Sequence, residues 1–246
     1  MLNILLPLAG KSPIFEGQHF PKWIYEIKNR LMIEYPISSL GRIKQHRRFI
    51  FILRNDECIK FHLDKTLKLL TSPESIVIQQ KTETVGAICS CLLAIDHINT
   101  DDPLIISNGD QFIDVDYNKV LEFFQGQDLD GGVICFNSVH PQWSYARLDA
   151  QDNIVQTAEK NPISRNAIAG FYYFKRGKDF VAAAQRTIEK EAHVNGIYYI
   201  APTYNEMVLE SKRLKAYQIN GDNYYSFYSF PKIREFEKGT IVIDKI

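Results

Sequence analysis

The sequence has no excess of charge of either sign and no long apolar run. Its 246 residues include 29 basic and 29 acidic side chains, so the formal net charge is zero. Proteins that bind nucleic acid usually carry a strongly basic domain, and the balance therefore argues against a nucleic-acid partner. No apolar run reaches the roughly 18 residues that a membrane-spanning helix needs. We therefore expect no membrane partner.

The sequence also has few cysteines, and their spacing indicates neither a metal site nor a redox pair. Cys89 and Cys91 are separated by one residue, which is typical of neither a zinc pair nor a thioredoxin-like pair. Together with Cys135 they stand in apolar runs, where a thiol behaves as a small hydrophobic group. Residues 1–8 lack the basic region and the cleavage site of a signal peptide. We expect a first strand there, a reducing compartment and a cytoplasmic protein.

What the first half does contain is an alternation of strand-like and helix-like segments. Near-continuous apolar strands that alternate with helices are typical of a mainly parallel sheet covered on both faces. The predicted strands are 3–8, 48–53, 75–79 and 104–107. The predicted helices are 32–40, 65–70, 84–95 and 117–124, and a polar loop covers 9–20.

The second half has shorter spacing between its predicted strands, which lie at 132–136, 144–148, 154–158 and 170–174. This spacing predicts a small antiparallel extension beside the parallel sheet. Two helices follow, at 179–191 and 201–211. No linker, repeat or low-complexity segment interrupts the chain. We therefore predict a single domain over residues 1–246 of the α/β class.

The most informative segment is the end of the predicted strand 104–107, where Asn108, Gly109 and Asp110 follow the apolar run. Ligands of open α/β sheets bind outside the carboxyl ends of the strands. Asp is a short, hard oxygen ligand that suits Mg²⁺ and its bound phosphates. Gly109 would let the backbone approach a ligand closely. An ordinary Asp-rich turn is the alternative interpretation.

Three further segments carry chemistry of the same kind. Gly10 ends the first strand, and Lys22 follows at a distance suited to a mobile positive charge near phosphate. Gly86 opens a predicted helix, where an anion or a flat base can approach. Glu159 and Lys160 form a charged pair after a strand. Each segment alone also fits an ordinary turn or helix cap.

The order and spacing of these four segments resemble the sugar-phosphate nucleotidylyltransferases, which have a glycosyltransferase-A-like, Rossmann-like fold. The similarity runs from about residue 2 to 209 and is greatest with short members from bacterial capsule and lipopolysaccharide gene sets. The resemblance implies a nucleotide-binding half over about 1–130, and an acceptor-binding half and tail over about 131–246. It also implies synthesis of a nucleotide-sugar and pyrophosphate from a nucleoside triphosphate and a sugar or polyol phosphate, for bacterial surface polysaccharides.

The resemblance also assigns roles to individual residues. Lys22, Asp110 and Lys160 would be catalytic, and Asp110 would bind Mg²⁺ as the implied cofactor. The nucleotide would contact Leu8, Ala9, Gly10, Lys11, Gln79, Gly86, Asn108 and Gly109. The acceptor would contact Trp143, Tyr145, Glu159, Lys160 and Gly170. Catalysis of this kind needs no general base, because the attacking phosphate oxygen is already anionic, and it depends on positioning and charge neutralisation.

The sequence departs from the family at two places. The family loop reads Gly-x-Gly-x-Arg, and its Arg clamps phosphates; here the loop reads Gly10-Lys11-Ser12-Pro13-Ile14-Phe15. Lys11 cannot present a bidentate fork. The family's second metal Asp is also missing from residues 226–231, although Asp222 is close in sequence.

Because of these departures, a second interpretation stays open, in which the chain is a glycosyltransferase-like or non-catalytic module that binds a nucleotide or nucleotide-sugar. A third interpretation is an assembly or regulatory subunit. The aromatic tail, residues 224–230, would then provide a surface for other chains, and a homodimer is one such assembly. Retention of the charged residues at the family spacing favours the enzyme.

Overall fold

The computed structural model describes residues 1–12, 15, 17 and 19–239, and its centre is a nine-stranded mixed sheet. Most of the sheet follows the order β10-β9-β11-β6-β1-β4-β5, while β8 pairs with β11 and β12. Two small two-stranded sheets lie beside it. The strands are β1 (Leu2–Pro7), β2 (Glu26–Ile27), β3 (Arg30–Leu31), β4 (Arg47–Arg54), β5 (Ile76–Gln80), β6 (Leu104–Ser107), β7 (Gln111–Ile113), β8 (Gly131–Asn137), β9 (Ser144–Leu148), β10 (Ile154–Glu159), β11 (Asn166–Phe174), β12 (Leu214–Gln218) and β13 (Tyr224–Ser226).

Helices cover both faces of this sheet. They are α1 (Glu34–Gly41), α2 (Asn55–Phe61), α3 (Leu63–Leu70), α4 (Ala87–Leu92), α5 (Ile95–Ile98), α6 (Tyr117–Gly126), α7 (Gly177–Glu189), α8 (Thr203–Leu209) and α9 (Phe230–Lys238). Alternate residues of β1 face two separate apolar clusters, with Ile4 and Leu6 on one face and Leu5 on the other. Burial on both faces explains why the strand reads as one continuous apolar run.

The larger parallel part of the sheet consists of β5, β4, β1 and β6, and β12 pairs parallel with β8 at another place in the sheet. Because these strands run in the same direction, their carboxyl ends meet at one edge. β11 then pairs antiparallel with β6, and it continues the sheet into β8 and β9. The predicted parallel sheet with a small antiparallel extension is therefore confirmed, and one continuous sheet connects the two halves of the chain.

Three predicted helices begin later in the structure than the sequence indicated, and the one predicted over 201–211 begins at Thr203. The helix predicted over 84–95 begins only at Ala87, because Gly86 has a φ of 127°, and it ends at Leu92. A separate short helix, α5, follows. The helix predicted over 32–40 begins at Glu34, after the β2–β3 hairpin. The predicted loop 9–20 contains Pro13, Ile14, Glu16 and Gln18, which lie outside the described residues.

The aromatic tail is packed against the body of the protein. β13 pairs with β7 through Tyr225 and Phe112, and α9 places Phe236 against Tyr35. This third apolar cluster also buries Phe227. In the described part of the chain, no helix has the length and apolar character needed to cross a membrane. All four cysteines are free thiols.

Candidate active site

A cavity of about 400 Å³ lies at the edge of the sheet where β1 and β6 end. Its position agrees with the rule that open α/β sheets bind ligands at the carboxyl ends of their strands. Segments from both halves of the chain line it. The predicted site residues among its lining are Gly10, Lys11, Lys22, Asn108, Gly109, Asp110, Trp143, Glu159 and Gly170.

An ion pair between Lys22 and Asp110 lies in this cavity. The Nζ of Lys22 donates to Oδ2 of Asp110 at 3.0 Å, and the two side chains are 13% and 27% exposed. Lys22 also lies 4.2 Å from the centre of the Trp23 ring. The pair therefore places a mobile positive charge and a carboxylate at the same point, and both remain accessible to a ligand. This arrangement suits a phosphate group and a divalent cation.

Trp23 holds the Lys22 turn against the end of β1. Its Nε1 donates to the carbonyl oxygen of Leu8 at 2.9 Å, and its ring is buried. A Cβ added at Gly109 would lie 2.3 Å from Leu8 Cδ2 and 2.8 Å from Trp23 Cζ3. The glycine is thus required by packing of these two side chains. Gly109 also lines the cavity, so its close approach to a ligand stays a prediction.

A smaller cavity of about 200 Å³ lies next to the first, with Pro7, Gly10, Lys11 and Ala87 in the lining of both. Ala9 and Gly86 also line the smaller cavity, so two predicted nucleotide contacts face each other there. A Cβ at Gly86 would lie 2.3 Å from the carbonyl oxygen of Tyr198. The segment containing Tyr198 therefore packs closely against Gly86.

The side of the larger cavity that is predicted to bind the acceptor contains Glu159 and its partner Ser144. The hydroxyl of Ser144 donates to Oε2 of Glu159. Burial raises the pKa of Glu159, and the Ser144 hydrogen bond and the charge of Lys160 oppose that rise. A partly buried carboxylate held in this way is a strong acceptor for ligand hydroxyl groups.

Lys160 lies beside the cavity and not in its lining. It has a φ of 53°, and its Nζ donates to the Tyr199 hydroxyl at 2.8 Å. This hydrogen bond raises the pKa of Lys160. Tyr199 does line the cavity. The structure therefore places Lys160 behind Tyr199, where it orients the phenol.

Gly170 lines the cavity at an irregularity of β11, with a φ of 58°. Its carbonyl oxygen accepts from the Asn108 backbone N–H at 2.9 Å and from Gln111 Nε2 at 3.0 Å. A Cβ at this position would lie 2.3 Å from Asn108 Nδ2. The expected space for a substrate ring is thus filled by the Asn108 side chain, and the glycine instead permits the contact between β11 and the end of β6.

Besides Lys160, three predicted contacts lie outside the lining of both cavities. Tyr145 is fully buried, and its hydroxyl donates to the His140 carbonyl oxygen at 2.6 Å. Leu8 is also fully buried and contributes only to the packing around Trp23. Gln79 is exposed, whereas its neighbour Gln80 lines the smaller cavity and accepts from Ser90 at 3.1 Å. Adjacent strand residues face opposite sides, so the prediction named the wrong member of this pair.

The sequence interpretation missed several residues that line the larger cavity, namely Gln142, Ser144, Tyr172, Tyr199 and Tyr224. Tyr199 lies in the tyrosine pair 198–199, and Tyr224 begins the aromatic tail. The abundance of tyrosine was the available signal. It could not show which rings face the cavity, because that depends on long-range pairing such as that of β13 with β7.

Asp110 is a suitable ligand for Mg²⁺, but the described residues give it no companion carboxylate. Within these residues, no group of three or more His, Cys, Asp or Glu could hold a metal ion. Phe227 donates its backbone N–H to the Asp110 carbonyl at 2.8 Å and offers only an apolar side chain. Asp222 lines a different, aromatic cleft. A magnesium ion at Asp110 would depend on phosphate and water oxygens for its other ligands.

Comparisons with known proteins show the family and the fold of the chain. Residues 18–222 match the family model described as nucleotidyl transferase. A search of curated proteins found no match to the chain. A solved structure of a nucleoside-diphosphate-sugar pyrophosphorylase from Vibrio cholerae is 23% identical, with a TM-score of 0.82, and the alignment covers 96% of this chain and 100% of that one.

Two further solved structures share the architecture. A Bacillus anthracis protein described as a glucose-1-phosphate thymidylyltransferase, in complex with a sucrose, is 16% identical with a TM-score of 0.74; the alignment covers 96% of this chain and 94% of that one. A UDP-glucose pyrophosphorylase complexed with UDP-glucose is 17% identical with a TM-score of 0.74, and 96% of each chain is covered. At these identities the likeness shows the fold, and it confirms the predicted architecture.

Proposed function

The chain belongs to the nucleotidyl transferase family, and on that premise we propose that it couples a nucleoside triphosphate to a sugar or polyol phosphate. The products are a nucleotide-sugar and pyrophosphate. The observation that carries this proposal is the Lys22–Asp110 pair in a cavity that also receives Glu159 from the other half of the chain. The named substrates of the neighbours, a sugar 1-phosphate and a nucleotide-sugar, support the same substrate class.

The two adjoining cavities suggest how the substrates divide the site. The base would occupy the smaller cavity between Ala9 and Gly86, and the acceptor would occupy the larger cavity near Glu159. The α-phosphate would then lie near Lys22, where both cavities meet the turn after β1. An acceptor phosphate oxygen forms a bond to the α-phosphorus while the bond to the β-phosphate oxygen breaks. The residues position these groups and neutralise their charge.

We further propose Mg²⁺ as the cofactor, with Asp110 as its protein ligand. When bound, the ion would neutralise phosphate charge and polarise the reacting phosphate. Asp110 fits this role through its accessible carboxylate. Because a cation at Asp110 competes with the Lys22 ammonium for the same oxygen, Lys22 would be released toward phosphate. Lys22 would thus pair with Asp110 before the ion binds, and it would contact phosphate once the ion is bound.

The wider setting follows from the family resemblance and stays a prediction. It comprises bacterial surface polysaccharide synthesis, a cytoplasmic location and a possible homodimer. The four free thiols agree with a reducing compartment. The aromatic tail supports the dimer less than expected, since many of its rings pack within the same chain.

A specific observation favours the alternative of a nucleotide-binding module without turnover. Phe227 stands beside Asp110 where a second carboxylate would support a metal, and its side chain is buried in an apolar cluster. A module of this kind would still bind a nucleotide or nucleotide-sugar through the base cavity. It would release no pyrophosphate from any substrate pair.

Pyrophosphate release distinguishes the two. The protein is incubated with Mg²⁺, each of the common nucleoside triphosphates, and a panel of sugar and polyol phosphates. We expect release that requires one triphosphate, one acceptor and the metal together. The matched control omits the acceptor, so that simple triphosphate hydrolysis is subtracted. Nucleotide binding without release from any pair would establish the module instead.

A further inference from the structure

A second large cavity, of about 430 Å³, lies on the β4 side of the turn after β1. It shares Gly10, Lys11, Lys22 and Trp23 with the larger site cavity, so Lys22 lies at the boundary of the two. β1 and β4 are parallel neighbours, with Pro7 opposite Ile52. The end of β4 therefore places Arg54 at the same sheet edge as the candidate active site. Arg54 and Lys60 line this cavity, and neither has a predicted substrate role.

Basic side chains outnumber acidic ones in this cavity. Lys11, Lys22, Arg54 and Lys60 line it, and the acids in its lining are Asp56 and Glu57. Lys11 and Lys22 form ion pairs with Glu83 and Asp110, which lie outside this lining. A polyanion that displaces those carboxylates meets an excess of cations, whose field the low-dielectric walls concentrate. Besides the α-phosphate and the acceptor phosphate, the predicted substrates have one strongly anionic part, which is the terminal part of the triphosphate.

The Arg54 guanidinium is held in a fixed plane. Its Nε donates to Asp56 Oδ1 at 3.0 Å and its Nη2 to Asp56 Oδ2 at 2.6 Å. Within the described parts of the chain, Nη1 makes no hydrogen bond to protein. The side chain is 28% exposed. Glu57 Oε1 also lies 3.8 Å from Nε. A planar donor that these two carboxylates orient and whose Nη1 stays unbonded can still bind phosphate oxygens.

Glu57 provides an independent indication that a ligand belongs here. Its Oε2 atom is buried without a hydrogen-bond partner among the described residues. Such atoms are uncommon, because an unpaired buried polar group costs free energy. Burial raises the pKa of Glu57 to about 7, with Arg54 and Lys22 opposing the rise and Asp56 adding to it. In its protonated form Glu57 can donate to an anionic oxygen.

We propose that this cavity receives the β- and γ-phosphates of the triphosphate, and then pyrophosphate, with Arg54 replacing the Arg that the turn after β1 lacks. This inference rests on the proposed function for its substrate. When the bond between the α-phosphorus and the β-phosphate oxygen breaks, the electron pair leaves with pyrophosphate. Arg54 and Lys60 neutralise that charge, and Lys22 contacts the phosphates on both sides of the broken bond.

Direct binding of inorganic pyrophosphate with Mg²⁺, measured by isothermal titration calorimetry, tests this assignment. Loss of a charge-assisted, two-pronged contact predicts that Arg54→Gln weakens binding by about 10- to 100-fold. Arg54→Lys keeps the charge without the fork and should give an intermediate loss. Lys60→Gln, at an exposed position, should weaken binding by about 3- to 10-fold. Arg147→Gln, exposed on β9 and outside these cavities, is the matched control and should leave binding unchanged.

Two comparisons make the result decisive. Binding of a nucleoside monophosphate should be equal in all variants, because the base and α-phosphate lie outside this cavity. Equal pyrophosphate affinity in the original chain, Arg54→Lys and Lys60→Gln would overturn the inference even if Arg54→Gln failed to fold. A chain that binds pyrophosphate through Arg54 but releases none from any substrate pair would uphold the inference and reject the proposed function.

Discussion

The two sides of the candidate active site offer different chemistry. On the side of β1 and β4, the groups that line the cavities are mainly charged, with Lys22, Asp110 and Arg54 among them. On the side of β9 to β11 they are mainly aromatic or hydroxyl groups around one carboxylate, Glu159. Phosphates are neutralised by charges, whereas sugar rings are bound by aromatic faces and by acceptors for their hydroxyls.

This contrast has a kinetic consequence. Charges that act on the reacting phosphates stabilise the transition state, so their removal lowers kcat. Groups that bind the acceptor ring act equally before and during the reaction, so their removal raises the acceptor KM. Variants on the two sides should therefore separate into two kinetic classes.

The largest effect is expected for Asp110→Ala. Removal of the proposed metal ligand should lower kcat by at least about 10³-fold, because the phosphate charge is no longer neutralised. Steady-state pyrophosphate release measures the loss, and the thermal unfolding midpoint checks that the fold persists. Asp114→Ala, at an exposed carboxylate in the next turn, is the control and should retain activity. Near-normal turnover of Asp110→Ala would rule out Asp110 as the metal ligand.

The next effect belongs to the acceptor side. Glu159→Gln keeps the shape but removes the charge that accepts ligand hydroxyls, and the acceptor KM should rise by about 10- to 100-fold. The triphosphate KM should not change. Since burial raises the pKa of Glu159, acceptor binding by the original chain should weaken as the pH falls through that raised pKa. Glu189→Gln, exposed on α7, is the control. A parallel rise in the triphosphate KM would contradict the division of the site.

The buried carboxyl of Glu57, on the charged side of the site, makes the stability of the folded protein depend on pH. Its pKa is raised from 4.5 to about 7, so the folded state binds more protons than the unfolded state between these values. Stability is therefore lost as the pH rises through this range. Glu57→Gln should remove that loss and, near pH 8, be more stable than the original chain by on the order of 2 kcal/mol.

Urea unfolding at pH 5 and pH 8 measures this difference. The charged neighbours Arg54, Asp56 and Lys22 are retained in both proteins, so the comparison isolates the Glu57 carboxyl. Glu74→Gln, at an exposed acid in another part of the surface, should keep the original pH dependence. If the free energy of unfolding has the same pH dependence in the original chain and in Glu57→Gln, the pKa of Glu57 is not raised in the folded state.

The smallest effect is expected for Lys160. Because it contacts Tyr199 and not the cavity, Lys160→Ala should raise the acceptor KM by only about 3- to 10-fold. Tyr199→Phe should have a similar effect, and the double variant should be no worse than either, since both act through one hydrogen bond. A loss in kcat as large as that of Asp110→Ala would instead place Lys160 on the reacting phosphates.

Much of the fold was predictable from the apolar pattern. The central residues of β1, β4 and β6 are buried on both faces, and a strand in that setting is apolar at most positions, with Asn3 and Ser107 as buried polar exceptions. The predicted carboxylate at the end of β6 lies at the sheet edge as expected. The family assignment, which depended on the order of four short segments, is confirmed.

The glycines show that a sequence pattern does not reveal why a glycine is needed at a position. Gly109 and Gly170 were predicted to leave room for a ligand, and at both positions an added Cβ would overlap protein atoms. Gly86 likewise contacts the Tyr198 backbone. A sequence shows that a side chain is missing at a position, but it cannot show whether substrate or another segment fills the space.

The fold class, the strand-end carboxylate and the charged residues of the site follow from local composition and spacing. The face on which Gln79 and Gln80 lie, the burial of Tyr145 and the arrival of Arg54 beside Lys22 follow from register and from contacts between distant segments. The physical reason is that a strand's apolar character depends on its own burial, and the sequence shows that character residue by residue. The composition of a cavity depends on which strands become neighbours, and that is decided by the packing of the whole chain.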